Sequence, residues 1–355
     1  VASSGLSLPT RWLARSLFRR FAASLIRCVA ALRGYELTSA GRPGGTLYGP
    51  ALSGAIHAAF ARLHATLAEA GPTLWTRVCT WMDAMGGVEA QIAGYEHPLS
   101  YPMLLLPWWA EKALHDPPNS DRQADLVYST INGYYAIRLI DNVMDAHATV
   151  ELDLLPALHV FSAEFQRVYR RQFDPDHPFW LLFDRAWYHT AEVTLRDAGA
   201  VEIDHEHFMQ VTSRKTEAVK IPIAAVCYSQ GHAELVPAWE GFVDLFGCWH
   251  QMSNDLFDWR KDLELGTHTY ILSEATRRAA PDEPVVAWLA REGFAWAIVT
   301  LDGWMAQLKV QASALGSPDL LAYLDLRDQM LADTASEFSP VLDALGRLFD
   351  AVAEA

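Results

Sequence analysis

From about residue 52 onward, apolar side chains return every three to four positions in one run after another. AIHAAFARLHATLAEA (55–70) has this helical spacing and stops at Gly71-Pro72, a pair that breaks helices. LLLPWWAEKALH closes before Pro117-Pro118, and Asn119, Ser120 and Asp121 then supply caps for a long helix through ADLVYSTINGYYAIRLIDNVMDAH. The same period runs through LPALHVFSAEFQRVYRRQF, HPFWLLFDRAWYHTAEVTLRDAG and HEHFMQVTSRKTEAVKIPIAAVCYSQG. It continues through VPAWEGFVDLFGCWHQMSNDLFDWRKDLELG, VVAWLAREGFAWAIVTLDGWMAQLKVQASALG and LLAYLDLRDQMLADTASEF. No segment alternates in twos, and there is no hairpin turn or internal repeat. The pattern predicts an all-α bundle of roughly ten helices.

The first 50 residues read differently. Residues 1–45 hold seven arginines against one acid, Glu36, a balance of +6; the overall −15 therefore leaves −21 for the remainder. WLARSLFRRFAASLIRCVAALRGY is amphipathic, with arginines between its apolar positions. Docking on its own domain, peripheral contact with an anionic membrane or partner, and a targeting leader are competing readings. The Gly-, Pro- and Ser-rich stretch 39–54 predicts a loop that separates this basic arm (1–50) from a single helical domain (51–355).

Composition narrows the class. A chain of 355 residues, 51% apolar, buries a sizeable core. Its net negative charge argues against nucleic acid as a partner, and no stretch is apolar enough for a membrane span. Cys28, Cys79, Cys227 and Cys248 lie far apart without a CxxC pair, which predicts reduced thiols in a cytoplasmic protein. The 13 tryptophans are a surplus that calls for an apolar, aromatic interior.

Candidate chemistry falls in three places. Asp141 and Asp145 are four residues apart, so they lie about 40° from each other on a helix and face one way. Hard oxygen ligands on one face suit Mg²⁺, although a solvated helix face has the same spacing. Asn254, Asp258 and Asp262 form a second stripe at four-residue intervals, with Lys261 within about 20° of Asn254 and Arg260 beside it. An i,i+4 ion-paired surface is the alternative there. Arg214-Lys215-Thr216 is basic and leads into Ile221-Pro222-Ile223; such cations hold diphosphate oxygens or simply mark a surface turn. Asp204-His205-Glu206-His207 is set aside as a zinc site, because its two histidines point about 200° apart on a helix and no HExxH is present.

Taken together, the order and spacing of these three motifs resemble the class I isoprenoid synthases, over roughly residues 90–330. NDLFDWRKD is similar to the Asn-Asp-x-x-Ser-x-x-x-Glu metal motif of class I terpene cyclases, with Asp258 in place of Ser and Asp262 in place of Glu. It also resembles the second aspartate-rich motif of trans-prenyltransferases, with Asn254 replacing the first Asp. Lys215-Thr216 is similar to the pair with which trans-prenyltransferases hold an allylic diphosphate. Asn142 departs from the usual second Asp of the first motif. Neither a Gly-x-Lys-Arg segment for isopentenyl diphosphate nor a late Arg-Tyr pair is found.

The resemblance implies an all-α isoprenoid synthase-type bundle with a central active-site cavity. Its expected cofactor is Mg²⁺, three ions with Mn²⁺ as a substitute, on Asp141, Asp145, Asn254, Asp258 and Asp262. Arg214, Lys215, Arg260 and Lys261 are the expected diphosphate ligands. Tyr134, Tyr135, Trp187, Phe246, Trp249 and Trp304 are the candidates to line the cavity and stabilise a carbocation, and each is equally at home in a packed core. The implied substrate is an allylic prenyl diphosphate, farnesyl or geranylgeranyl. Cyclisation is favoured over prenyl transfer because cations for a second diphosphate are missing. A non-catalytic partner subunit is the third reading, and the resemblance is compatible with a homodimer.

Overall fold

The computed structural model describes residues 47–144, 152–281 and 283–353. The basic arm as far as residue 46, and Asp145, lie outside these residues. Among the described residues every regular element is helical. Contacts divide the chain into two compact units, one of residues 45–251 with 303–327, the other of 252–302 with 328 onward.

In the first unit, helix α1 (Pro50–Ala70) starts inside the stretch expected to be loop. Pro50 occupies the first turn, where its missing N–H costs nothing and its fixed φ suits the helix. Leu52, Ile56, Ala59, Phe60, Leu63 and Leu67 recur at helical spacing and are buried, each large side chain contributing about 1.5–3 kcal/mol of transfer free energy. After α2 (Pro72–Ala84) and α3 (Gly87–Glu96), α4 (Leu105–Leu114) leads to the long α5 (Ser120–Met144). The expected cap is formed: Asn119 Oδ1 accepts the backbone N–H of Arg122 at 2.9 Å. Glu111 is fully buried at this corner and accepts from the Asn119 N–H (3.1 Å) and Arg122 Nη1 (2.8 Å). A buried carboxylate so paired fixes how α5 leaves α4.

α6 (Ala157–Gln172) packs along α5. Gly133 makes this approach close, since a Cβ there would stand 2.9 Å from the Phe165 ring. α7 (Phe179–Ala198) follows.

The periodic run 205–231 is broken into three pieces. α8 (His205–Gln210) is capped by Asp204, whose carboxylate accepts the His207 N–H at 2.7 Å. This gives the Asp204–His207 tetrad its role. A 3₁₀ segment (Thr212–Val219) and α9 (Lys220–Ser229) come next. Pro222 is tolerated because it falls in the first turn of α9. α10 (Val236–Leu265) passes this break with Gly247 beside it, where a Cβ would come within 2.6 Å of the Ser213 carbonyl oxygen.

Both units draw on α10, α13 (Phe294–Ala314) and α14 (Pro318–Ala353). In the second unit, Gly266 (φ +70°) ends α10, with the Thr267 N–H returning to the Asp262 carbonyl at 2.8 Å. α11 (Tyr270–Arg278) is capped by the Thr269 hydroxyl, and α12 (Val285–Trp288) passes through a π-turn (Leu289–Gly293) into α13. Gly293 leaves room for the Trp288 ring, which a Cβ would approach to 2.5 Å. α14 runs on past Phe338, where the sequence pattern ended, and through Pro340. Buried Phe338, Leu342 and Leu345 offset the backbone bond that the proline removes.

Candidate active site

A cavity of about 290 Å³ lies within the first unit. α5 supplies Tyr134, Arg138 and Asp141 to its wall, one helical turn apart in succession. The 3₁₀ segment supplies Lys215 and Thr216, and α6 supplies Phe165. Most of the remaining wall is apolar.

The break in the 205–231 run is what brings Lys215 here. An uninterrupted helix would carry Arg214, Lys215 and Thr216 around its circumference, whereas the 3₁₀ turn sends two of them to the cavity. Arg214 goes elsewhere, pairing with Asp244 and donating Nε to the Met209 carbonyl at 3.0 Å. Arg214 was expected as a diphosphate ligand; here it is an anchor of the turn. Lys220 Nζ also reaches Asp244 (2.6 Å) and Glu217 (2.8 Å), and Glu217 accepts from His189. Burial alone would raise the Glu217 carboxyl, but Lys220 and His189 overcome it and hold it below the usual range. Burial lowers the Lys220 ammonium, and Glu217 opposes the shift. Cys248 Sγ donates to the Ser213 hydroxyl at 3.2 Å, so α10 holds the turn at several points.

Lys215 Nζ donates to Asp197 Oδ2 at 2.6 Å, and the Thr212 hydroxyl donates to Asp197 Oδ1 at 2.7 Å. On the facing wall Arg138 Nη1 donates to the Tyr134 hydroxyl at 2.7 Å. Burial raises the phenols of Tyr134 and Tyr101, which also lines the cavity. Both rings therefore stay neutral and present π-faces rather than phenolate nucleophiles.

The other expected aromatics lie away from this wall. Tyr135 is buried against Phe161, Phe60 and Trp81. Phe246 and Trp249 are buried and stacked on each other, with Phe246 behind Tyr101 and the Arg327 guanidinium over Trp249. Trp304 stacks on Phe208. Trp187 lies behind Phe165, ring centroids 4.6 Å apart, and lines a separate surface groove of about 520 Å³. Bulk and buried area decide these positions, and a surplus of aromatics does not say which ring faces a void. Tyr101, Phe165 and Asp197 were not singled out from the sequence. Asp197 alone left a signal there, being an acid in the last turn of a helix, where the dipole disfavours it.

Asn254, Asp258 and Asp262 belong to the second unit and share one stripe of α10. Asn254 and Asp258 are exposed and Asp262 is half-buried. Asp255, on the other face, is buried and accepts the Tyr270 N–H at 3.1 Å, which ties α10 to α11. Burial and the neighbouring Asp258 charge push the Asp262 carboxyl up to about 6. A half-buried carboxyl raised by burial and by an acid one turn away is a donor that a divalent cation relieves, so these residues fit Mg²⁺. Among the described residues no three His, Cys, Asp or Glu side chains form a ready cage. Mg²⁺ takes one or two protein carboxylates and completes its shell with water and phosphate oxygens. Arg260 pairs with Glu264, its i+4 neighbour, at 2.8 Å, and Lys261 is exposed.

The chain matches no family sequence model and no curated protein sequence. Among solved structures it is similar to heptaprenyl diphosphate synthase from Staphylococcus aureus, with a TM-score of 0.58 and 11% identity. The match covers 80% of this chain and 98% of that one. The fold is thus the all-helical isoprenoid synthase type. No helix among the described residues is long and apolar enough to cross a membrane.

Proposed function

We propose that the protein is a Mg²⁺-dependent enzyme that ionises an allylic prenyl diphosphate and transfers the resulting carbocation to an isoprenoid acceptor. One observation carries this reading: an acid (Asp141), two cations (Arg138 and Lys215) and a hydroxyl (Thr216) meet on one cavity whose remaining wall is mostly apolar and aromatic. Lys215 and Thr216 hold diphosphate oxygens, with Arg138 opposite. Asp141 and Asp145 are the first set of metal ligands, and Asn254, Asp258 and Asp262 the second. Arg260 and Lys261 add positive charge beside that second set. Bound Mg²⁺ supplies the charge neutralisation that makes diphosphate a leaving group. The C–O bond then breaks with both electrons leaving on the diphosphate. Tyr101, Tyr134 and Phe165 face the cation with neutral π-surfaces and exclude water. Attack by the acceptor's double bond and loss of a proton complete the transfer.

Transfer is favoured by the likeness to heptaprenyl diphosphate synthase. Cyclisation of farnesyl or geranylgeranyl diphosphate is the second reading. It is supported by the cavity's basic side chains, Arg138 and Lys215, which suffice for one diphosphate and are few for two. A cytoplasmic location and a homodimer complete the proposal. The dimer is supported by Leu181, Tyr188 and Leu195, exposed at seven-residue intervals along α7.

The test is product analysis by mass after incubation with Mg²⁺ and geranyl, farnesyl or geranylgeranyl diphosphate, each with and without isopentenyl diphosphate. A longer diphosphate formed only with isopentenyl diphosphate establishes transfer. A cyclic product from one allylic substrate alone establishes the cyclase, and no product in any tube refutes both.

A further inference from the structure

Of the basic side chains on the 3₁₀ turn and the start of α9, only Lys215 lies on the cavity wall. Arg214 and Lys220 share Asp244 behind the turn. Lys215 has its own carboxylate, Asp197 Oδ2, at 2.6 Å. That acid is not part of the cavity wall, so the ammonium has Asp197 on one side and the cavity on the other. The Asp197 side chain is 15% exposed and that of Lys215 35%.

The position of Asp197 is not explained by its helix. It sits in the last turn of α7, next to carbonyls carrying partial negative charge, where an acid is disfavoured and a base such as neighbouring Arg196 is welcome. A mostly buried carboxylate there needs a cation, and Lys215 is the cation it has. The Thr212 hydroxyl, at 2.7 Å from the other oxygen, aims the carboxylate at the lysine.

We propose that Asp197 is the counter-ion that holds Lys215 while the cavity is empty, and that an incoming diphosphate takes the lysine from it. Asp197 is therefore a positioning residue that acts through Lys215. A diphosphate offers several charged oxygens against one carboxylate, so it wins the ammonium, while Thr212 keeps Asp197 in place. When the diphosphate leaves, the carboxylate recaptures the lysine. Asp197 thus weakens diphosphate binding and speeds release. This inference rests on the reading that Lys215 binds diphosphate, and the experiment separates the two.

The measurement is the Kd of inorganic diphosphate, by titration calorimetry on the full chain with and without Mg²⁺. Asp197→Asn removes the competing charge and is expected to tighten binding by about 3- to 10-fold. Asp197→Ser, which keeps an acceptor for the Thr212 hydroxyl, serves as a second neutral variant if the first fails to fold. Asp197→Glu restores a carboxylate and returns the affinity to within about 2-fold of the original. Lys215→Met weakens binding, and in that background Asp197→Asn has no effect. Unchanged or weaker binding in the neutral Asp197 variants overturns the inference alone. So does a gain that persists without Lys215. If Lys215→Met leaves the affinity untouched, the diphosphate reading of Lys215 falls, and the inference falls with it.

Discussion

Gly247 and the Ser213 carbonyl oxygen approach so closely that a Cβ on the glycine would stand 2.6 Å from the oxygen. No side chain fits there, so the 3₁₀ turn that carries Lys215 and Thr216 is shaped by a helix remote from it in sequence. Gly247→Ala is expected to push the turn away, weakening inorganic diphosphate binding at least about tenfold and costing about 1–3 kcal/mol of stability. Gly241 on the same helix has open space around it, and Gly241→Ala should gain up to about 1 kcal/mol from helix propensity with binding unchanged. Calorimetry and denaturant titration on both variants check the contrast.

Gly133 does the same for Phe165 on the opposite wall, with a Cβ contact of 2.9 Å. Gly133→Ala is expected to cost about 1–3 kcal/mol by forcing the ring into the cavity or toward Trp187. Phe165→Leu, which costs stability alone, should recover part of that loss when combined with Gly133→Ala. A double-mutant cycle showing simple additivity would remove the coupling.

Asp141→Ala is expected to lower turnover by at least about 100-fold with the fold intact by circular dichroism, since the residue faces the cavity and not the core. Asp258→Asn should also abolish turnover. It removes the Asp258 charge that adds to burial in raising Asp262, so the metal-free protein should become slightly more stable rather than less. Loss of activity with no gain in thermal midpoint would argue against strain between these two acids.

His250 is expected to contribute to the acid sensitivity of the first unit. It is enclosed by Tyr101 and Phe246, and burial, with the Arg327 charge adding to it, lowers its imidazole to about 3. The unfolded chain protonates this residue near its ordinary 6.5. Between the two values the unfolded state therefore binds the extra proton. Stability is fully present above about 6.5 and falls on acidification toward about 3, by up to about 1.4 kcal/mol per pH unit from this one group. Denaturant titrations at pH 7 and 4.5 should show that loss, and His250→Gln should flatten it. Equal slopes would mean that other groups set the acid limb.

Sequence periodicity placed α5 and α10 well, because Asn119 caps the start of α5 and Gly266 ends α10. It failed over 205–231, where the apolar period continues while the helix does not. Gly247, which leaves room for the turn, and Asp197, which pairs with Lys215 and Thr212 on it, lie on other helices and leave no mark inside the run. The aromatic wall was legible as composition but not as address: Tyr134 faces the cavity, while Tyr135, one residue on and 100° around the helix, is packed in the core. The beginning of α1 was missed because Pro50 reads as a breaker in a Gly-rich stretch, yet it serves as a first-turn residue.

Asn254 and Asp255 are neighbours with opposite orientations, one exposed on the acidic stripe and the other buried against the start of α11. That alternation makes the segment intolerant of length change. A single inserted or deleted residue between Asp255 and Asp262 would turn everything beyond it by about 100°. An outward carboxylate would then be driven into the core, or the Tyr270 amide would lose its acceptor. The number of residues between Asp255 and Asp262 is therefore as much a part of the site as the carboxylates themselves, because it sets the phase of the helix.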